Sequence, residues 1–536
     1  MGARIACALP PAGAILASPM PRLFAFAAAF LAACVGDEAP APPSPGPATS
    51  CRAAPFDDVA ASLGVDFVHH PRTDYCDVTD VMGPGACLLD HDGDGDDDLY
   101  LVDRAPHPNR LYRNEGGRFT DVTDAAGVGD RGDGMGCLAF DHDGDGDDDL
   151  YLTNLDGDRL YRNDGGRFTD VTAAVGLRTE GFTTTATAGD IDGDGDNDLF
   201  VSRFLEPATL PTMCTQRIEI ATPHTSLLLV NEGGRFTEQS AARGITERDP
   251  TLAARLYDLD GDGDLDLYVG NDLGMLHPDR FYMNDGRGHF TDRARAMGLA
   301  FPPSMDSGQT MGVDLADIDG DGGIELVSSN SAGFPELLYT CDRALRCREV
   351  SREWGLSPAS VQSFSWALGL EDFDLDGDVD LFVANGSIYR PAAQPDQLYW
   401  NVGGRFREHE PRAGEALDRA QSSRSAVFGD LDGDGALDVV TTVVGGRPRV
   451  LRNRAGCGHW LGVRVRPRLA GTRVRVTAGG KTRERQVVLG GSYLGSGTAT
   501  LHYGLGAAAT AAVEVRWPDG RTLRRDVLAD RVVTLP

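Results

Sequence analysis

The sequence predicts an all-β protein: a seven-bladed β-propeller followed by a small β-sandwich-like domain. Three observations lead there. An acidic pattern of the form D-x-D-G-D-G-x-x-D-L, with small departures, starts at Asp90, Asp141, Asp190, Asp258, Asp317, Asp372 and Asp430. Four short apolar segments recur around each copy, the signature of a propeller blade. After the seventh copy the acidic pattern stops, while strand-like alternation runs on to the C-terminus.

In chain order, residues 1–34 read as an export signal. Leu23 to Ala33 is an apolar run too short to span a bilayer, with Arg22 just before it. It ends in Leu31-Ala32-Ala33-Cys34, which resembles a bacterial lipobox. That resemblance implies lipid attachment at Cys34; plain secretion with cleavage at a small-residue site is the alternative. Translation starts at Met1 or Met20. Residues 35–54 are rich in Pro and Ala and read as a tether. Either export route makes disulfides permissible, and eight cysteines follow Cys34. Cys341 and Cys347 are close enough in sequence to clip a hairpin.

Residues 55–455 form the propeller. Before each acidic loop runs a strand of small residues, such as Gly136 to Phe140, and after it an apolar strand, such as Leu99 to Val102. A third strand (Leu111-Tyr112-Arg113-Asn114), a Gly-Gly turn and a fourth strand (Phe119 to Thr123) complete the unit. Blade seven ends after its third strand, Val450 to Asn453, and its missing outer strand stands at the front of the chain as Phe56 to Ala60. Such a borrowed strand latches the ring and removes an open edge. Cys51 and Cys457 flank this junction and are expected to clasp it.

The loops suit calcium. Loop one offers Asp90, Asp92, Asp94, Asp96 and Asp98; loop two, Asp141, Asp143, Asp145, Asp147 and Asp149; loop three, Asp190, Asp192, Asp194, Asp196 and Asp198. Loop four offers Asp258, Asp260, Asp262, Asp264 and Asp266; loop five, Asp317, Asp319, Asp321, Gly323 and Glu325. Loop six offers Asp372, Asp374, Asp376, Asp378 and Asp380; loop seven, Asp430, Asp432, Asp434, Ala436 and Asp438. Positions 1, 3, 5 and 9 are carboxylates in every copy, and position 7 supplies its backbone carbonyl. Hard oxygen ligands in this number favour Ca²⁺, up to seven ions, over zinc or copper. Position 6 is glycine throughout, as a tight turn requires. The chain carries 81 acidic against 50 basic residues, and the loops hold 35 of the acids. The acidic excess therefore lies in the loops, where carboxylates about 4 Å apart repel by roughly 1–4 kcal/mol without a cation. An EF-hand is excluded, because position 12 of loop one is Leu101 and strands flank the loop. Glu325 in loop five and Leu375 at position 4 of loop six predict weaker binding there.

These loops with their flanking strands resemble the FG-GAP/VCBS repeats of integrin α-type propellers. In residues 456–536, His459-Trp460-Leu461-Gly462-Val463, Gly491-Ser492-Tyr493-Leu494, Leu501 to Gly506 and Val515 to Gly520 resemble the ASPIC/UnbV domain of the cartilage acidic protein-like family. The resemblance implies a secreted calcium-binding protein and no particular reaction. This module is basic. Arg464, Arg466, Arg473, Arg475, Arg483 and Arg485 make a stripe for an anionic ligand or, in the favoured reading, for water or the acidic propeller.

All calcium loops fall on one face of the ring. Two long segments, Asp66 to Gly85 and Arg203 to Ser226, fall on the other, carrying His69, His70, Arg72, Tyr75, Cys76, Cys214, Arg217 and His224. A ligand surface is expected there, stapled by Cys76–Cys214. Arg131-Gly132-Asp133 lies on the same face in the adhesion tripeptide's order, an order chance supplies readily in this composition. His69 and His70 are weak metal candidates, since adjacent surface histidines are more often not ligands. Neither a G-x-S-x-G elbow nor H-E-x-x-H nor a phosphate loop occurs.

The leading expectation is an exported, lipid-anchored calcium-binding propeller acting as a surface adhesion or ligand-binding module. The alternatives are a secreted enzyme with its site on the long-loop face or central channel, and an envelope scaffold. The expected partner is a surface protein or glycan. No nucleic acid is expected, the membrane is met only through the lipid, and the chain is a monomer. The net charge of −31 argues against polyanions as partners.

Overall fold

The computed structural model describes residues 56–72, 77–206, 222–300, 309–342, 344–356, 362–388, 392–411, 415–454 and 456–536. Cys34, Cys51, Tyr75, Cys76, Cys214 and Arg217 lie outside these residues, so the expected lipidation, the Cys51 clasp and the Cys76–Cys214 staple do too. Cys457 itself is disulfide-bonded.

Seven four-stranded antiparallel sheets form the blades, with inner strands Ala86–Leu89, Gly134–Phe140, Thr183–Gly189, Thr251–Tyr257, Thr310–Ala316, Ser365–Glu371 and Ser423–Gly429. Inner strands such as GMGCLAF and TTTATAG are buried along their whole length, and their small side chains let seven strands converge on one axis. The expected latch is present. Phe56–Asp58 pairs antiparallel with Arg449–Asn453, Phe56 opposite Asn453, and completes blade seven. Phe56 is buried among Phe373 and Phe382 of blade six, so the latch is also a packing contact.

Cys341–Cys347 forms as expected and ties the two outer strands of blade five. A second disulfide, Cys87–Cys137, joins the inner strands of blades one and two. Sequence left that pairing open.

The C-terminal module has a three-stranded sheet (Leu501–Gly506, His459–Val465, Arg531–Leu535) and a four-stranded one (Lys481–Gln486, Arg473–Ala478, Thr510–Arg516, Thr522–Leu528). Between Gln486 and Leu501 the chain leaves these sheets and enters the ring. Leu489 bridges to Ala188 of blade three, and Gly495–Ser496 adds in parallel to Ala86–Cys87 of blade one. Leu494 O accepts the Cys137 amide of blade two, Gly490 O accepts Arg255 Nη1 of blade four, and Ser492 Oγ accepts the Leu368 amide of blade six. A Cβ on Gly85 would lie 2.2 Å from Leu494 O, so that glycine permits the approach. The central channel, one of the places reserved above for an enzymatic site, is thus entered by the chain's own residues.

Candidate metal centres and the opposite face

Each acidic loop joins an inner strand to the second strand of its blade, so all seven share one face. Position 6 has φ between +85° and +104° in every copy, the conformation for which glycine was expected. Position 4 is also left-handed in every copy, and in loop six Leu375 takes it at φ 62°. In loops one, two, three, five, six and seven the position-6 amide donates to the position-1 carboxylate, for instance Gly95 to Asp90 at 3.1 Å and Gly377 to Asp372 at 2.8 Å, which curls the loop round a centre. Carboxylate oxygens of Asp90, Asp92 and Asp94 come within 4.8 Å of one another, as do those of Asp141, Asp143 and Asp145.

Burial acts against the charged form of these groups. It raises the carboxyls of Asp90, Asp141, Asp190 and Asp317, and pushes Asp430 up to about 7. At position 9, burial with help from neighbouring carboxylates lifts Asp198 and Asp266 to about 8, while Glu325 rises to about 7. A divalent cation would reverse this penalty, which is the fit expected of an oxygen-lined cation site. The side chains at positions 1, 3, 5 and 9 would hold the ion with the position-7 carbonyl.

The structure gives some of these residues a second task. Position 9 receives the position-2 amide on one oxygen and a third-strand amide on the other: His91 and Asn114 on Asp98, Phe373 and Asn401 on Asp380. The side chains at position 7 of the first three loops turn away to the Gly-Gly turn of their own blade, as Asp96 does to the Gly116 amide at 3.0 Å, and Asp147 and Asp196 likewise.

Sequence reasoning missed the asparagines ending the third strands. Asn163 Nδ2 donates to Asp148 O in its own loop and to His91 O in the loop before; Asn114, Asn231 and Asn284 repeat both bonds. Asn401 and Asn453 make the bond to the preceding loop. They staple blade to blade, and their recurrence at one register was the available signal. In blade five this place is taken by Cys341, where the disulfide stands instead.

The basic stripe meets the acidic face. Arg464 Nη2 donates to Gly95 O at 2.8 Å, Arg473 Nη2 pairs with Asp258 at 2.7 Å, Arg483 Nε donates to Gly377 O at 2.6 Å and Arg485 pairs with Glu371 at 2.7 Å. Arg468, outside the stripe as read from sequence, grips Asp148 at 2.9 Å. Arg475 pairs within the module with Glu484, and Arg466 is exposed. The anionic partner of this stripe is the propeller itself.

On the opposite face, the Arg-Gly-Asp tripeptide is not presented. Asp133 is 5% exposed and pairs with Arg72 and Arg104. His69 is buried, its Nδ1 accepts the Gly445 amide, and burial pushes its pKa down to about 3. His224 sits 2.9 Å from Arg203. A cavity of about 500 Å³ opens on this face, and both long segments contribute to it through Val78, Met82, Phe204 and Leu205. Phe364 and Trp366 are among its aromatic lining, with Gln309, Gln362 and Asp272 among its polar groups. Trp366 lies 5.1 Å from Tyr493 of the inserted segment, ring to ring. Burial lifts the Asp272 carboxyl to about 6. Leu273 beside it is left-handed at φ 61°, a conformation that leucine adopts only when its surroundings hold it there.

Two family models agree with this architecture. The FG-GAP-like repeat model matches residues 90–152, 141–201, 258–328 and 372–441, and the model described as ASPIC and UnbV matches 462–536. Cartilage acidic protein 1 of Mus musculus is 28% identical over 285 residues, covering 50% of this chain and 42% of the relative. The Homo sapiens protein is 29% identical over 280 residues, covering 49% and 40%. The match thus spans well under half of these relatives. Among solved structures, a rhamnogalacturonan lyase of Bacillus licheniformis aligns with TM-score 0.37 at 12% identity, covering 70% of this chain and 72% of that one. The V. cholerae biofilm matrix protein Bap1 aligns with TM-score 0.30 at 14% identity, covering 84% and 72%. The chain is therefore built of FG-GAP-like repeats followed by a C-terminal ASPIC and UnbV domain, with distant similarity to cartilage acidic protein 1.

Proposed function

We propose that this protein is an exported, lipid-anchored propeller, stabilised by calcium on one face and binding a surface protein or glycan with the other. The observation carrying this reading is the division of labour between the faces. The C-terminal module sits on the loop face and sends a segment into the axis, while the opposite face keeps a cavity to which both long segments contribute. Long segments on a rigid scaffold are where recognition concentrates. The disulfides Cys87–Cys137 and Cys341–Cys347 fit an oxidising compartment, and among the described residues no helix is long and apolar enough to cross a membrane.

The test is a pull-down from envelope and matrix extracts, in calcium and in chelator, with captured proteins and glycans both identified. A partner retained by the wild type in calcium and lost on Ala332→Trp, which fills the cavity, supports the reading. Capture unaffected by that substitution rejects the cavity as the site. The anchor is checked separately, by mass spectrometry of the mature N-terminus: an unmodified terminus ends the lipid part of the proposal. Asp272, a half-buried carboxyl lifted to about 6 and lining the cavity, favours hydrolytic or eliminative chemistry as a second reading. Captured glycans should then return shortened.

A further inference from the structure

The cavity on the face opposite the calcium loops carries a single charge. Of its eighteen lining residues, twelve are apolar and five are neutral polar, which leaves Asp272 as the one charged group. Asp272 follows the second strand of blade four, Asp266–Asn271, and is fixed there by main-chain bonds. Its amide donates to Pro250 O at 2.9 Å, and Leu273, left-handed at φ 61°, turns its own amide back onto Asp272 Oδ1 at 2.7 Å. Oδ2 has no hydrogen-bond partner among the described residues. The neutral polar groups are largely spent on their own surroundings. Gln394 Oε1 accepts the Phe364 amide and its Nε2 donates to Gln362 O, both at 3.0 Å, and Gln309 Oε1 accepts the Ser331 hydroxyl. His277, the ionisable side chain whose charge acts on Asp272, is engaged with Asp249 at 2.9 Å.

Taking the cavity as the recognition site, as above, we propose that it binds an ammonium group carried on an apolar body. That is the chemistry of a lysine side chain on a bound protein, or of a free hydrophobic amine. A carboxylate facing an apolar space is disfavoured until a cation meets it, and burial lifts the Asp272 carboxyl to about 6 for that reason. An ammonium N–H donating to the unpaired Oδ2 makes a charge-assisted hydrogen bond, the stronger kind, and cancels the charge; a neutral hydroxyl donates without cancelling it. Phe334 and Phe364 bring aromatic rings to the lining, where a cation is attracted to a ring face and an apolar stem packs. An anionic ligand would meet like charge, with no cation among the lining residues to pair with. Arg424, the buried guanidinium nearby, lies within the wall. It stacks on Trp366 at 4.3 Å and donates to Val81 O, Gly386 O, Ser387 O and Ser423 O. A volume of about 500 Å³ suits an organic group of this size.

The test is calorimetry of the full chain in calcium with three probes sharing a phenylethyl body: 2-phenylethylamine, 2-phenylethanol and 3-phenylpropionate. Wild type should bind the amine about tenfold or more tighter than the alcohol, and the carboxylate most weakly. Asp272→Asn should bring the amine down to the affinity of the alcohol while leaving the alcohol unchanged, which also shows that the cavity is intact. Calcium-dependent melting verifies the fold of the variant; where it melts early, Asp272→Ser replaces it. In the pull-down above, a captured protein displaced by the amine and not by the alcohol places the ammonium on a lysine of that partner. Capture indifferent to the amine assigns it to a free amine. Equal affinities for amine and alcohol, tightest binding of the carboxylate, no binding of any probe, or amine binding unmoved by Asp272→Asn overturns the ammonium assignment. The Ala332→Trp pull-down judges the cavity separately, so that a partner lost there keeps the cavity as the site even where the ammonium fails.

Discussion

Asn163 holds two carbonyls, Asp148 O at 3.2 Å and His91 O at 2.9 Å, while its own Oδ1 accepts the Gly166 amide. Replacement by alanine leaves buried acceptors unpaired and should cost about 1–3 kcal/mol, read by urea denaturation in calcium. A loss below a few tenths would mean that the asparagines merely accompany the blade joints. Asp133 belongs at this scale as well. Asp133→Ala removes the nearer of two carboxylates from the buried Arg104 guanidinium, which keeps Asp80 at 3.6 Å and Thr79 Oγ1 at 2.9 Å, so the cost should fall below the roughly 3–5 kcal/mol of a fully broken buried pair. Replacing exposed Arg131, whose guanidinium donates to Pro106 O, should alter neither stability nor binding. At single residues the sequence was legible where a pattern repeated and opaque elsewhere. Seven copies fixed position 6 as a left-handed glycine. Nothing linked His70 to His107, whose rings stack 3.8 Å apart, because the contact depends on how blade one's loop folds back on the entering chain.

Among elements, the loops make the clearest pH prediction. In the unfolded chain the carboxyls of Asp198, Asp266 and Glu325 titrate near pH 4. In the metal-free fold they titrate near 8, 8 and 7, so the folded state holds their protons more tightly. Stability from this source is fully present below about pH 4 and is lost as pH rises through 7 and 8. In chelator the Tm should therefore fall between about pH 5 and pH 8, and calcium should abolish the fall. A chelated protein whose Tm rises over that window contradicts the assignment. The inserted segment has its own test. Gly85→Ala places a Cβ 2.2 Å from Leu494 O and should loosen Leu489–Ser496, seen as faster proteolysis there and a loss of about 1–3 kcal/mol. This insertion was not legible beforehand. Gly491-Ser492-Tyr493-Leu494 lacks strand periodicity, and the two-residue strand after it, Gly495–Ser496, forms only because the inner strand of blade one supplies a partner. The latch was legible, since counting strands per blade left a gap at one end and a spare at the other.

At the scale of the molecule, the basic module and the acidic ring form one compact unit, Thr49–Pro536. Leu489, Tyr493 and Leu494 are buried at the axis, in clusters shared with residues from the blades. A chain ending after Asn453 should thus aggregate or lose its cooperative melt, even in saturating calcium. A truncated ring that melts like the full chain would make the module an accessory. The charge division was visible in sequence; which side the stripe would face was settled only by the fold.

The two ends of this unit also set its timetable. Phe56–Asp58 waits for Arg449–Asn453, and Ala86–Cys87 waits for Gly495–Ser496, so the first strands made find their partners among the last. Six blades can form in passing as the chain emerges, each from neighbouring residues. The seventh cannot close and the axis cannot fill until nearly the whole polypeptide is present. Until then the hollow centre presents its inner strands to any passing chain. The finished protein should consequently appear late and all at once, with long-range pairing rather than blade formation setting its pace.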